Sequence, residues 1–179
     1  AKLEPKKIIF TEADRLDVLK AAQIVFEEGI GIPVLMGRVD RIKKLMKEID
    51  FSHNLKIIDL SLDKSQKKIE RFGKIFFKER KERGLTLSQA IKLMRARDYF
   101  ASMMVKHGEV DALISGYSRS YPEVVKPILK VIGKAKGVRK IAATNLMLTS
   151  KGPIFLSDTS ININPGYNDL AYISIMTSN

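Results

Sequence analysis

The segment SGYSRSYPEVVKP, Ser115–Pro127, holds the densest set of groups able to grip an anion. It follows the apolar run Val110–Ile114, which reads as a strand, and leads into a helix with Pro122 in its first turn. Backbone N–H groups at a helix start are unpaired and the helix dipole is positive there, so a phosphate or carboxylate is welcome. Ser115, Ser118 and Ser120 add hydroxyls, Gly116 leaves the backbone open, and Arg119 and Lys126 add positive charge. The glycine pattern of a nucleotide loop is missing. The same residues also fit a plain capped turn, and both readings stand at this point.

Other chemistry is thinner. Asp158 ends an apolar run, and strand ends of open α/β sheets face the ligand crevice, so it is a candidate acid–base group. A carboxylate that closes a turn is the alternative. Asp111 opens a strand and is a weaker candidate. His53 and His107 lie in different segments with no metal-ligand spacing around them, so neither is assigned to a metal or to catalysis. The chain has no cysteine, which excludes disulfides and thiol catalysis. No serine sits in a nucleophile elbow. No residue is therefore assigned as catalytic or metal-ligating.

These groups must be held by a framework that the apolar periodicity outlines. KKIIF (Lys6–Phe10), IPVLMG and LKIIDL (Leu55–Leu60) read as short buried strands. Helices are expected after the first, ending at Gly29, and after the second, over Arg38–Glu48. Strand–helix alternation at this spacing predicts an α/β fold with a mostly parallel sheet covered by helices. Two helices follow without a strand: Ser65–Arg83, broken by Gly84, and one capped by Thr86 and running to Gly108 with Leu87, Ile91, Met94, Ala101 and Met104 on one stripe. After the Ser115–Pro127 segment, GKAKGVRK is a basic connector. Two strands then flank TSKG as a hairpin, Ile141–Leu148 and Pro153–Ser157. The expected division is a first domain over 1–136 and the opening of a second over 137–179.

The net charge is +12 over 179 residues. Nucleic acid, a membrane surface and an anionic small molecule are all compatible with that sign. The lysines are spread over several helices, as on solvated faces, and no aromatic residues interleave with them. No nucleic-acid or membrane partner is expected. No apolar run could span a bilayer and the N-terminus lacks a signal-peptide layout, so a cytoplasmic location is expected.

RKERGLT, YFASMMVKHGEVDALISG, RSYPEVVKPILKVIG and KGPIFLSDTSININP, in that order, resemble the phosphotransacetylase family. The match is closer to the phosphotransacetylase-like C-terminal region of bacterial multidomain malic enzymes. The resemblance implies a three-layer α/β/α fold, truncated here, with a ligand cleft between two domains. It carries one essential arginine of the acetyltransferases onto Arg80 and a second onto Lys126. Arginine binds phosphate through a planar fork and lysine through a point charge, so Lys126 weakens the case for acetyl phosphate chemistry. The family's catalytic serine and aspartate lie in a later part of the fold than this chain reaches, so no acyl transfer is expected from it alone. The cleft implied by the resemblance is lined by Arg80, Ser115, Gly116, Ser118, Arg119, Ser120, Lys126 and Asp158, with CoA or acetyl-CoA as ligand. NADP or NAD and a divalent metal would belong to a separate malic catalytic region, and the parent protein would be a homo-oligomer. A phosphate acetyl- or butyryltransferase is the alternative function.

Overall fold

Ile8, Ile9 and Phe10 alternate between the two faces of a sheet, as side chains of a strand must. Ile9 enters one apolar cluster, and Ile8 and Phe10 enter another on the opposite face. A strand buried on both sides needs helices on both sides, and that requirement organises the first part of the molecule. The computed structural model describes residues 3–178 and forms two compact units, Ala1–Gly133 and Lys134–Asn179.

In the first unit, β1 (Lys6–Phe10), β2 (Gly31–Met36), β3 (Lys56–Ile58) and β4 (Ala112–Ile114) form a four-stranded sheet in the order β3-β2-β1-β4. All pairs are parallel, with Ile9 opposite Val34, Phe10 opposite Leu35 and Ile8 opposite Ala112. Helices α1 (Leu16–Glu27) and α2 (Val39–Glu48) cover one face through Leu19, Ala22, Ile42 and Met46. The other face is covered by α3 (Asp63–Arg80), α4 (Leu87–Leu93), α5 (Arg97–Lys106) and α6 (Tyr121–Val131). This is the three-layer α/β/α arrangement with a parallel sheet.

The structure departs from the expected single helix over Thr86–Gly108. Thr86 does cap it, accepting the Gln89 N–H at 3.2 Å while the Gln89 side chain accepts from Thr86 N at 3.0 Å. The helix then stops at Met94, and Ala96 is extended before α5 begins at Arg97. Two packing demands meet at this break. Ile91 lies so close to α3 that a methyl group on Gly73 would stand 2.6 Å from it, whereas α5 is buried from Asp98 to Met104. The bend satisfies both and puts Arg97 and Asp98 at a new helix start. No glycine or proline announces it in the sequence. Two smaller differences concern lengths. The helix expected to Arg83 ends at Arg80 in a single 3-10 turn over Lys81–Arg83, and β3 is three residues rather than six.

In the second unit, β5 (Thr144–Thr149) and β6 (Gly152–Ser157) pair antiparallel in a sheet of their own, with Thr149 opposite Gly152 across the TSKG turn. The first of these strands begins three residues later than expected. Helix α7 (Tyr167–Ser178) follows.

Candidate functional site

The chain runs β1 to β2 to β3 toward one edge of the sheet and then returns to place β4 on the other side of β1. The carboxyl ends of β1 and β4 therefore flank a topological switch point, where open α/β sheets bind ligands. The loop after β4 is the serine-rich turn. It is tied to β1 by Thr11, whose N–H donates to the Ile114 carbonyl at 3.1 Å.

An anion does occupy this turn, and the chain supplies it. The Glu12 carboxylate, on the loop after β1, accepts the backbone N–H groups of Gly116 at 3.0 Å, Tyr117 at 2.8 Å and Ser118 at 3.2 Å, together with the Ser118 hydroxyl. Three successive N–H groups converging on one oxyanion form the kind of concavity that binds phosphate elsewhere. Glu12 is 3% exposed. Burial works to raise its carboxyl, but the hydrogen bonds from the Ser118 side chain and from Tyr117, Gly116 and Ser118 N–H outweigh it, and the group lies below its ordinary value.

A second carboxylate holds the same turn from beneath. Asp98, 1% exposed at the start of α5, accepts the Ser115 hydroxyl at 2.7 Å and is paired with Arg119. Ser120 donates its N–H and its hydroxyl to Glu123 at 2.9 and 2.7 Å, closing the first turn of α6. Ser115, Gly116, Ser118, Arg119 and Ser120 are thus all engaged within the fold. The donors that the turn offered for a ligand are taken by Glu12, Asp98 and Glu123.

Further along the same sheet edge, Arg97 forks onto Asp14, with both N–O distances 2.7 Å, and donates to the Thr11 carbonyl at 3.1 Å. Burial opposes the Asp14 charge, but the Arg97 hydrogen bonds and charge prevail and hold the carboxyl below its ordinary value. Asp59, after β3, accepts from Val39 N at 3.0 Å and from the Ser61 N–H and hydroxyl at 2.9 and 2.6 Å. Burial raises its carboxyl and these donors lower it further, again to a net depression.

The cations expected from the resemblance lie along α6 rather than at its start. Arg80 donates to the Lys130 carbonyl, one of the unpaired carbonyls at the end of α6, and lies over the Phe76 ring. It pairs with neither Glu79 nor Glu82, the surface alternative; Glu79 is bound to Lys106. Ten residues of helix, about 15 Å, separate Ser120 from Lys130. Lys126 is exposed and makes no ion pair among the described residues. Burial pushes the phenol of Tyr99 above its ordinary value, and the charges of Lys126 and Arg80 pull against the rise. Beside them, Phe76, Arg80, Arg83, Leu85, Leu93 and Lys130 line a hollow of about 190 Å³.

Asp158 belongs to the second unit. Its backbone is left-handed, with φ 61°, and its Oδ1 accepts from Asn162 N and Nδ2 at 3.3 and 2.6 Å, closing the loop after β6. Its Oδ2 is enclosed without a partner. Asp111 accepts from Lys7 N at 2.7 Å, at the amino end of the sheet, away from the switch point. His53 packs on Phe26 and Phe51, and His107 stacks on Phe72, so both histidines serve the apolar framework. No group of three or more His, Cys, Asp or Glu with metal-site geometry occurs among the described residues.

Sequence reasoning missed Glu12, Asp14, Asp59, Arg97 and Asp98. The readable signal was TEAD directly after a buried strand, two carboxylates at the carboxyl end of what became the central β1. The partners of Glu12 and Asp14 lay 83 to 106 residues away, so spacing alone could not pair them.

A parallel sheet with helices on both faces and a switch point between β1 and β4 defines the class of open three-layer α/β/α domains. Within that class, the whole chain, residues 1–179, matches the family described as phosphate acetyl/butaryl transferase, and it belongs to that family. It is 30% identical to the phosphate acetyltransferase of Thermoanaerobacterium thermosaccharolyticum, over 100% of this chain and 55% of that protein. It is also 30% identical to the NADP-dependent malic enzyme of Escherichia coli, over 99% of this chain and 24% of that protein. The solved phosphotransacetylase of Streptococcus pyogenes superposes with a TM-score of 0.84 at 28% identity, covering 96% of this chain and 52% of that one. The chain therefore spans about half the length of that acetyltransferase and about a quarter of the malic enzyme. It is homologous to both. No helix among the described residues is long and apolar enough to cross a membrane.

Proposed function

We propose that this chain is an acyl-CoA-recognising, phosphotransacetylase-like region of a malic enzyme, with a regulatory rather than a catalytic task. The observation that carries the reading is the pair of cations at α6, Lys126 within the helix and Arg80 on its Lys130 carbonyl. Among the described residues neither Lys126 nor Arg80 has a carboxylate partner, and Arg80 is held by a backbone carbonyl and the Phe76 ring. Cations without acidic partners beside a hollow suit the phosphates of CoA. Lysine in place of a forked arginine suits binding better than the tight grip on a phosphoryl group that transfer requires. In the parent protein, a homo-oligomer located in the cytoplasm, acetyl-CoA bound here would shift malate oxidation by favouring one state of the enzyme. NADP and a divalent metal would serve the malic region, and this chain alone would transfer no acyl group.

The second reading, a phosphate acetyltransferase, is favoured by the similarity to such enzymes over this entire chain and by the family arginine that the resemblance carries onto Arg80. Two measurements decide. Calorimetric titration of the full-length protein with acetyl-CoA is expected to show binding weakened by about 1.5–3 kcal/mol in each of Arg80→Ala and Lys126→Ala; wild-type affinity in both variants would remove the site. Steady conversion of acetyl phosphate and CoA by the full-length protein would select the transferase instead.

A further inference from the structure

We infer that the Gly116–Ser118 turn is an oxyanion cradle whose occupant is built in, and that Glu12 is thereby the positioning residue of the ligand site. The donor set is complete without any external group: three backbone N–H groups and one hydroxyl around a single carboxylate that is 3% exposed. A phosphate arriving from solvent would have to expel that carboxylate from four charge-assisted hydrogen bonds, which are about twice as strong as neutral ones. The occupant is anchored on the loop after β1, so the cradle doubles as a clamp between β1 and the start of α6. Asp98 closes the same clamp from α5 through Ser115 and Arg119. Helix α6 carries Lys126 and presents the Lys130 carbonyl to Arg80. The placement of the two cations thus depends on an anion more than a helical turn away that never touches the ligand. A seat for CoA or phosphate belongs along the flank of α6 and not in the turn.

The part of this inference that concerns ligand binding rests on the proposed acyl-CoA reading; the cradle itself does not. Glu12→Ala removes the occupant and leaves the donors facing a space shaped for a carboxylate. In the full-length protein the variant is expected to melt about 5–10 °C lower. Formate or inorganic phosphate is expected to restore much of that loss by filling the cradle, more than chloride at matched ionic strength, with no comparable gain in the wild type. Acetyl-CoA affinity is expected to fall about tenfold and to recover with formate. Glu12→Gln, which keeps one acceptor oxygen, serves if the alanine variant does not fold; it is expected to fall between the two and to show no formate effect. Formate and phosphate no better than chloride on the alanine variant, or a glutamine variant indistinguishable from wild type in stability, would overturn the cradle. Wild-type protein that binds no acetyl-CoA, with rescue of melting intact, would overturn the acyl-CoA reading and leave the cradle standing.

Discussion

The two units put the apolar residues of their strands to opposite ends. In the first, Ile9, Phe10, Val34, Leu35 and Met36 are enclosed between helix layers. In the second, Leu146, Met147, Leu148, Ile154, Phe155 and Leu156 occupy both faces of the β5–β6 hairpin and are all exposed, Leu148 to 83%. A strand-like run of apolar residues therefore reports pairing, not burial; burial is decided by what is laid over the strand. Two-stranded ribbons are marginal without a covering layer. The polar contacts divide the same way. Asp14, Asp98 and Glu12 are locked beneath the first unit's surface, whereas Lys140 and Asp169, paired in the second unit, are only partly covered.

The contrast can be tested at three depths. The largest effect is expected in the core. Phe72→Ala, at a fully enclosed ring between α3 and α5, should destabilise the first unit by about 3–5 kcal/mol. Phe155→Ala, at a ring 59% exposed and opposite Leu146, should change the second by about 0.2–1 kcal/mol. Urea unfolding followed by hydrogen exchange in each unit would measure both, and equal losses would break the comparison. An intermediate effect is expected at the charges. Arg97→Met strands Asp14 without its fork and should cost about 3 kcal/mol, the low end for an enclosed pair. Lys140→Met should cost under about 1 kcal/mol.

The smallest effect is expected from acid. Glu12, Asp14 and Asp59 all ionise more readily folded than unfolded. Their contribution is complete above the ordinary carboxylate range and is lost as pH falls below about 4, where the unfolded chain takes up protons first. The urea midpoint of the first unit should fall across that window, and Asp14→Asn should flatten the slope. An unchanged slope in the variant would place the acid sensitivity elsewhere.

The layers of the first unit were legible because a buried parallel strand and an amphipathic helix each leave a local period. The same holds for the Thr86 cap and the TSKG turn, whose signals fit within a few residues. The bend at Met94–Ala96 was not legible, because it answers to the closeness of Gly73 and to the burial of α5, and neither shows in LMRARDYF. The turn after β4 was half legible. Its donors stand in the sequence, but nothing near Ser118 shows that Glu12 satisfies them, since that depends on β4 lying beside β1. Arg80 came from resemblance, since its charge run read only as a solvated face; Lys126 stood out as a charge following the turn, and resemblance added its match to an arginine.

The β1–β4 pairing also bears on the order in which the molecule assembles. β1 can find β2 across 25 positions, as Ile9 finds Val34, whereas Ile8 must wait for Ala112 and Glu12 for Gly116, 104 residues downstream. Contacts of such long range close slowly, because the chain entropy of a large loop is surrendered before any contact repays it. On a ribosome the β1–β3 half can be complete while the residues that clamp α6 are still unsynthesised. The β1–β4 edge is then the last part of the first unit to mature, and a chain caught midway would expose the β1 edge to pairing with another copy.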